Sequence, residues 1–194
     1  YLPSELSHYL ALSILKVTHS IGLLERLIDK NNTPSKSIDF NLIPRKPNQL
    51  KTLENRLGIA AGLDKNGEYI DCLASLGVGF IEVGTVTPKK QFGNPKPRLF
   101  RDRKDQSLLN RLGFNNKGVE ALVENLKVKK SLIPIGVSIG KNFDTPNDEA
   151  YKDYLYCMER VYKYSNYIAI NISSPNTQDL RELSSEEFLT NLLV

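Results

Sequence analysis

Apolar residues near the N-terminus recur at three- and four-residue steps: Leu6, Leu10, Ile14, Val17, Ile21, Leu24 and Ile28. A second set, Leu12, Leu15, Leu23 and Leu27, runs beside them. This spacing predicts helix from Ser4 to about Lys30, with Ser4 as the N-cap and Gly22 dividing it into two helices. Two readings stand. The segment is an amphipathic helix packed on the body of the protein, or a helix pair lying on a membrane or facing a greasy ligand. The longest uncharged run near the N-terminus, from Leu6 to Leu15, is far short of the roughly 20 residues that cross a bilayer. Residues 31–52 are polar and hold three prolines, which predicts a linker.

From Leu53 the pattern changes to short apolar runs alternating with helical periodicity. Strands are predicted at Arg56–Gly62, Val78–Val86, Ile133–Gly140 and Tyr167–Ser173. Helices are predicted at Gly67–Gly77, Asn116–Lys130 and Asp148–Ser165, with a last one opening at Ser184, where Glu187 completes a capping-box spacing. The Pro-rich stretch from Thr87 to Arg101 reads as an excursion. Repeated βα units imply a parallel sheet, and near-continuous apolar strands suit a sheet covered on both faces. No G-x-G-x-x-G follows the first strand, which argues against a Rossmann fold. The predicted class is α/β, a (β/α)8 TIM barrel. A whole barrel takes about 250 residues, and residues 53–194 are little more than half of that. About the first half of a barrel is therefore expected, preceded by the helical segment of residues 1–30, and the chain reads as cut at both ends.

Composition narrows the function. The formal net charge is +4, and the densest basic cluster, Lys127–Lys130, sits at a predicted helix end. No interleaving of basic and aromatic residues points to nucleic acid. Cys72 and Cys157 are far apart in sequence and form no C-x-x-C, so packing in a reducing compartment is the expectation. His8 and His19 have no third ligand nearby, so a zinc site has no support and no metal is expected.

The candidate chemistry lies at the strand ends, where a barrel places its active site. The four strands end in AGLDKNG, GTVTP, SIGKN and NISSPNT, and NRLGFNN adds amides between them. Any one such loop is ordinary turn chemistry; four at one barrel face suggest a site. The set holds one lysine in a glycine-bounded loop, Lys65, with a single acid, Asp64, beside it. It also holds the neutral amides Asn110, Asn115, Asn116, Asn142, Asn171 and Asn176. Amides donate and accept, which suits a planar ring with alternating carbonyl and N–H groups. Lys65 suits a carboxylate or an electron-rich ring. The combination reads as recognition of a heterocyclic acid, with redox chemistry left to a cofactor.

These stretches, with IEVGTVTP, GNPKPRLFR, IGKNFDTP and DYLYCMERVY, closely resemble the membrane-associated, quinone-dependent class of dihydroorotate dehydrogenases. The resemblance runs in order from Arg56 to at least Leu183. It implies an FMN enzyme that oxidises dihydroorotate to orotate in de novo pyrimidine synthesis and passes the electrons to a quinone. By the same resemblance Ser174 is the catalytic base, and serine there, where cytosolic classes carry cysteine, marks the quinone-dependent class. Ala61, Gly62, Leu63, Asp64, Lys65, Thr85, Ser138 and Asn171 would face FMN. Lys65, Asn110, Arg111, Leu112, Gly113, Phe114, Asn171 and Asn176 would hold orotate. Ser138 departs from the family, which usually has asparagine there. The resemblance also implies that the helices of residues 1–30 rest on the membrane and frame the quinone entrance, which favours a peripheral membrane protein, on the cytoplasmic face of a bacterial inner membrane or, in a eukaryote, at the mitochondrial inner membrane. Alternatives are another FMN barrel acting on a pyrimidine, or a non-catalytic half barrel.

Overall fold

Helix α1 (Ser4–Ser20) and the single turn α2 (Leu24–Leu27) open the chain in a computed structural model. The structure describes residues 2–28, 38–39, 52–53, 56–175, 180–185 and 189–190. Gly22 breaks the two helices apart as expected, at a φ of +69°. Ser4 is not the N-cap. It is the first helical residue, and Pro3 precedes it with extended ψ, its fixed φ already suited to entering a helix. The division of apolar positions is sharper than the periodicity implied. Leu12 and Leu15 pack on the core, whereas Leu6, Leu10, Ile14, Val17 and Ile21 are exposed on the far side of α1.

Of the predicted linker, only a two-residue antiparallel ladder is described, β1 (Ile38–Asp39) on β2 (Thr52–Leu53). The main body is a parallel sheet in the order β3 (Gly58–Ile59), β4 (Phe80–Val86), β7 (Ile135–Ile139), β8 (Tyr167–Ile170). Between β4 and β7 lie an antiparallel hairpin, β5 (Leu99–Asp102) with β6 (Ser107–Asn110), and then helix α4 (Val119–Val128). Helix α3 (Ile70–Ala74) joins β3 to β4, and α5 (Ala150–Val161) joins β7 to β8. The hairpin was not predicted. A 310 turn spans Leu180–Ser184, and the expected capping partner Glu187 lies outside the described residues.

The faces of the sheet differ because alternate residues point opposite ways. Ile81, Val83, Ile135, Val137 and Ile139 are fully buried among Leu122, Val161 and other helix residues. Each such burial contributes about 1.5–3 kcal/mol. The opposite set includes Phe80, Glu82, Gly136 and Tyr167. There the Tyr167 hydroxyl donates to Glu82 Oε2 at 3.0 Å. A Cβ on Gly136 would come within 2.1 Å of the Tyr167 ring, so glycine leaves the room that ring fills. The strands are thus uniformly apolar only on their helix side. Near the C-terminal end, β4 and β7 close on each other at Gly84, where a Cβ would meet the Ser138 carbonyl at 2.3 Å.

Polar contacts at both ends seat α1 on this body. At its N-terminal end Glu5 pairs with Arg98 at 2.7 Å. At its C-terminal end His19 meets Glu25 at 2.5 Å, and the Ser75 hydroxyl lies 3.0 Å from His19 Nδ1 and 3.3 Å from Glu25 Oε1.

Candidate active site

The loop after β3 is built by Asp64. Its carboxylate accepts from the backbone N–H groups of Glu68 at 2.9 Å and Tyr69 at 2.7 Å. It is buried, and that burial lifts its carboxyl above the ordinary range despite the two donors. Asp64 therefore spends its oxygens on the turn. The loop is also fastened to β4, with Gly62 N donating to Gly84 O at 2.8 Å and Gly84 N to Asp64 O at 3.2 Å. Gly62 holds a φ of +105°, and a Cβ there would meet nothing within 4 Å, so its surface is open.

That surface belongs to a cleft of about 490 Å3. Ala61, Gly62, Leu63, Asp64 and Lys65 line one side, Asn110, Leu112 and Asn115 another, and Glu5, His8 and Tyr9 of α1 the roof. Lys65 Nζ donates to Asn115 Oδ1 at 2.5 Å. Burial, with the Arg98 guanidinium adding to it, lowers the Lys65 pKa to about 8, against the pull of Glu5. His8 is held below its ordinary value by burial and by Lys65, which favours neutral imidazole. A half-desolvated cation held by a neutral amide is disposed to accept an anion.

A second group closes the strand ends beside this loop. Thr85 Oγ1 lies 2.8 Å from Ser138 Oγ and accepts from Asn171 Nδ2 at 2.9 Å. Asn171 Oδ1 accepts from Ser173 N at 3.2 Å, which bends the chain as it leaves β8. The Tyr154 hydroxyl donates to the Asn171 carbonyl at 2.9 Å, and burial pushes that hydroxyl's pKa well above its ordinary value. Ser138 thus touches Thr85, and through it the amide of Asn171 is oriented. Ser174 follows on the same loop, half-buried. Asn176 lies outside the described residues.

The loop from Asn110 to Phe114 divides. Asn110 and Leu112 face the cleft. Arg111 donates instead to the Pro97 carbonyl at 3.0 Å and stacks over Phe100. Gly113 packs on Asn94, and Phe114, at a φ of +52°, sits in the core near Gly140. Two amides from the sequence inventory are structural. Asn116 bonds Thr87, Phe114 and Gly118, and Asn142 bonds Thr87, Lys89 and Gln91. Conversely, Glu5, His8, Tyr9 and Arg98 were not singled out for the site. The sequence offers His8 only as a metal ligand, and Arg98 only as a member of the GNPKPRLFR stretch. Among the described residues no group of three His, Cys, Asp or Glu is placed to hold a metal.

A family model described as dihydroorotate dehydrogenase matches residues 49–194. The chain belongs to the dihydroorotate dehydrogenase family. It is 50% identical over 192 residues to the dihydroorotate dehydrogenase (quinone) of Acinetobacter baylyi, covering 99% of this chain and 54% of that one. It is 49% identical over 189 residues to the protein of the same name from Psychrobacter arcticus, covering 97% and 52%. A solved Eimeria tenella dihydroorotate dehydrogenase in complex with ferulenol superposes with a TM-score of 0.80 at 33% identity, over 99% of this chain and 50% of that one. The chain thus spans about half the length of the dihydroorotate dehydrogenases it matches. Its parallel sheet and covering helices are the expected partial (β/α)8 barrel.

Proposed function

We propose that this chain carries the N-terminal part of a quinone-dependent dihydroorotate dehydrogenase, which oxidises dihydroorotate to orotate with bound FMN and a quinone as electron acceptor. The observation that carries the reading is the cleft. It offers one half-buried cation of lowered proton affinity among neutral amides, at the strand ends, roofed by an amphipathic helix. Orotate is a planar carboxylate with alternating carbonyl and N–H groups, and this donor set is complementary to it.

The residues also fit a flavin. The open backbone at Gly62 admits a flat ring with Lys65 beside it in the cleft, and Thr85 and Asn171, bonded to each other, stand at the neighbouring strand ends. Ala61, Gly62, Leu63, Lys65, Thr85 and Asn171 would hold it; Asp64 would act by shaping the loop, and Ser138 by orienting Thr85. Bound FMN supplies the electron-accepting chemistry that no side chain of the cleft provides. Lys65 holds the substrate carboxylate, and Asn110, Asn171 and Asn176 bracket the ring. Arg111 and Phe114 keep the Asn110–Phe114 loop in shape. Ser174 takes the ring proton. A hydroxyl is a weak base, so its proton must leave by an activating path.

The exposed row of Leu6, Leu10, Ile14, Val17 and Ile21 supports a peripheral seat on a membrane, where a quinone is dissolved. Among the described residues no helix is long and apolar enough to cross one. The reading places the protein on the cytoplasmic face of a bacterial inner membrane, or at the mitochondrial inner membrane in a eukaryote. Liposome flotation with and without residues 1–30 tests this, and equal flotation of both forms would rule it out. The activity is tested by orotate formation with a soluble quinone in the full-length protein. Failure to form orotate while flavin is bound would overturn the assignment.

A further inference from the structure

The roof of the cleft and the loop that forms its far wall are bridged by a buried side chain. Arg98 is 7% exposed, and its partner Glu5 on α1 is 16% exposed. One guanidinium nitrogen donates to Glu5 Oε1 at 2.7 Å; another donates to the carbonyls of Phe92 and of Asn94, the latter at 3.1 Å. The segment it holds is bonded to the Asn110–Phe114 loop. Asn94 N donates to Leu112 O at 3.1 Å, Asn94 Nδ2 to Arg111 O at 2.9 Å, and Arg111 N to Arg98 O at 2.8 Å. Gly93, at a φ of +72°, lies so close that a Cβ would come within 2.2 Å of Leu112 O, leaving no slack between the two segments. The carboxylate of Glu5 is held below its ordinary pKa by Arg98 and by Lys96 at 3.5 Å, against its burial.

We infer that Arg98 is a positioning residue: its ion pair with Glu5 couples α1 to the Asn110–Phe114 loop, so that a ligand held by that loop is felt by the helix over the cleft. The inference rests on the reading of the cleft as the orotate site. Coupling between a ligand and a distant segment requires an element both of them bias. The fork of Arg98 is that element, because it bonds both sides and is shielded from water, where a lost ion-pair partner is felt most. The other anchor of α1, at His19, Glu25 and Ser75, touches α3 and not the substrate loop.

Amide hydrogen exchange on the full-length protein, with and without saturating orotate, tests this. In the unmodified protein orotate slows exchange both at residues 110–114 and in α1. In Glu5→Gln the α1 amides exchange roughly tenfold faster without ligand, and orotate still protects residues 110–114 but no longer α1. Arg98→Lys, which keeps the charge and loses the fork, gives the same loss of transmitted protection. Lys96→Ala, which removes only the exposed outer partner, leaves it intact. Orotate protection of α1 that survives in both Glu5→Gln and Arg98→Lys would overturn the coupling. So would its loss in Lys96→Ala. Absence of any orotate protection in the unmodified protein would instead overturn the proposed function.

Discussion

The asparagines at the strand ends meet two opposite fates. Around Thr87, Asn116 and Asn142 bond the backbone and each other's neighbours until little capacity is left. Around Lys65, Asn110 and Asn115 border a cleft, and among the described residues the cation there meets a neutral amide oxygen and a distant carboxylate. The same residue type in loops of similar composition builds a turn in one place and borders an open cleft in the other. What separates them is whether donors and acceptors are already balanced, since a buried polar group without a partner is costly.

The largest expected effect belongs to Ser174, the proposed base on the loop after β8. Ser174→Ala should lower the rate of dihydroorotate oxidation by roughly 10²–10⁴-fold, the usual worth of a general base, with orotate affinity little changed in a direct binding titration. Next is the cation. Lys65→Met removes a charge-assisted contact worth about 1.5–3 kcal/mol, so orotate should bind roughly 10–100-fold more weakly by calorimetry. Its thermal midpoint should hold, because a desolvated charge has been removed as well.

A pH series sharpens the same point. Lys65 is charged below about 8 and neutral above it, so orotate affinity should hold on the acid side and fall as pH rises through about 8. In stability the sign is reversed. The unfolded chain keeps its lysine proton up to the ordinary value of 10.5, so the burial penalty is present below about 8 and is relieved between the two values. The smallest expected effect is the swap between the regions. Asn116→Ala should cost about 1–3 kcal/mol of unfolding free energy, read by urea titration, with ligand affinity of the folded protein intact. Asn115→Ala should leave stability nearly unchanged and weaken orotate binding only a few-fold. If the two asparagines exchanged these outcomes, the division of the face would be wrong.

Much of the fold was legible because burial on the helix side forces apolar residues into β4 and β7 wherever a helix covers them. The β5–β6 hairpin was not. Its tip, Arg103 to Gln106, is charged and polar, and its strands are exposed, so no burial pattern marks them. The periodicity of α1 gave its extent and its break at Gly22. It did not tell which of two leucine sets faces the body, since both satisfy the same spacing. At the site, the residue types announced a planar anionic ligand, yet Asp64 and Lys65, adjacent in sequence, part company. One turns back to bond its own loop, and the other faces the cleft. Phe114, named with the substrate loop, packs its side chain in the core and adopts a left-handed backbone after Gly113. Arg98 lies within the GNPKPRLFR stretch, but its part in the structure was not legible there, because its partner Glu5 is on a helix far away in sequence.

The most direct measurement is the visible absorbance of the flavin-loaded full-length protein when dihydroorotate is added without oxygen. Prompt bleaching, reversed by a soluble quinone and accompanied by orotate, is the predicted result. A flavin that stays oxidised in the presence of dihydroorotate would contradict the assignment of this cleft.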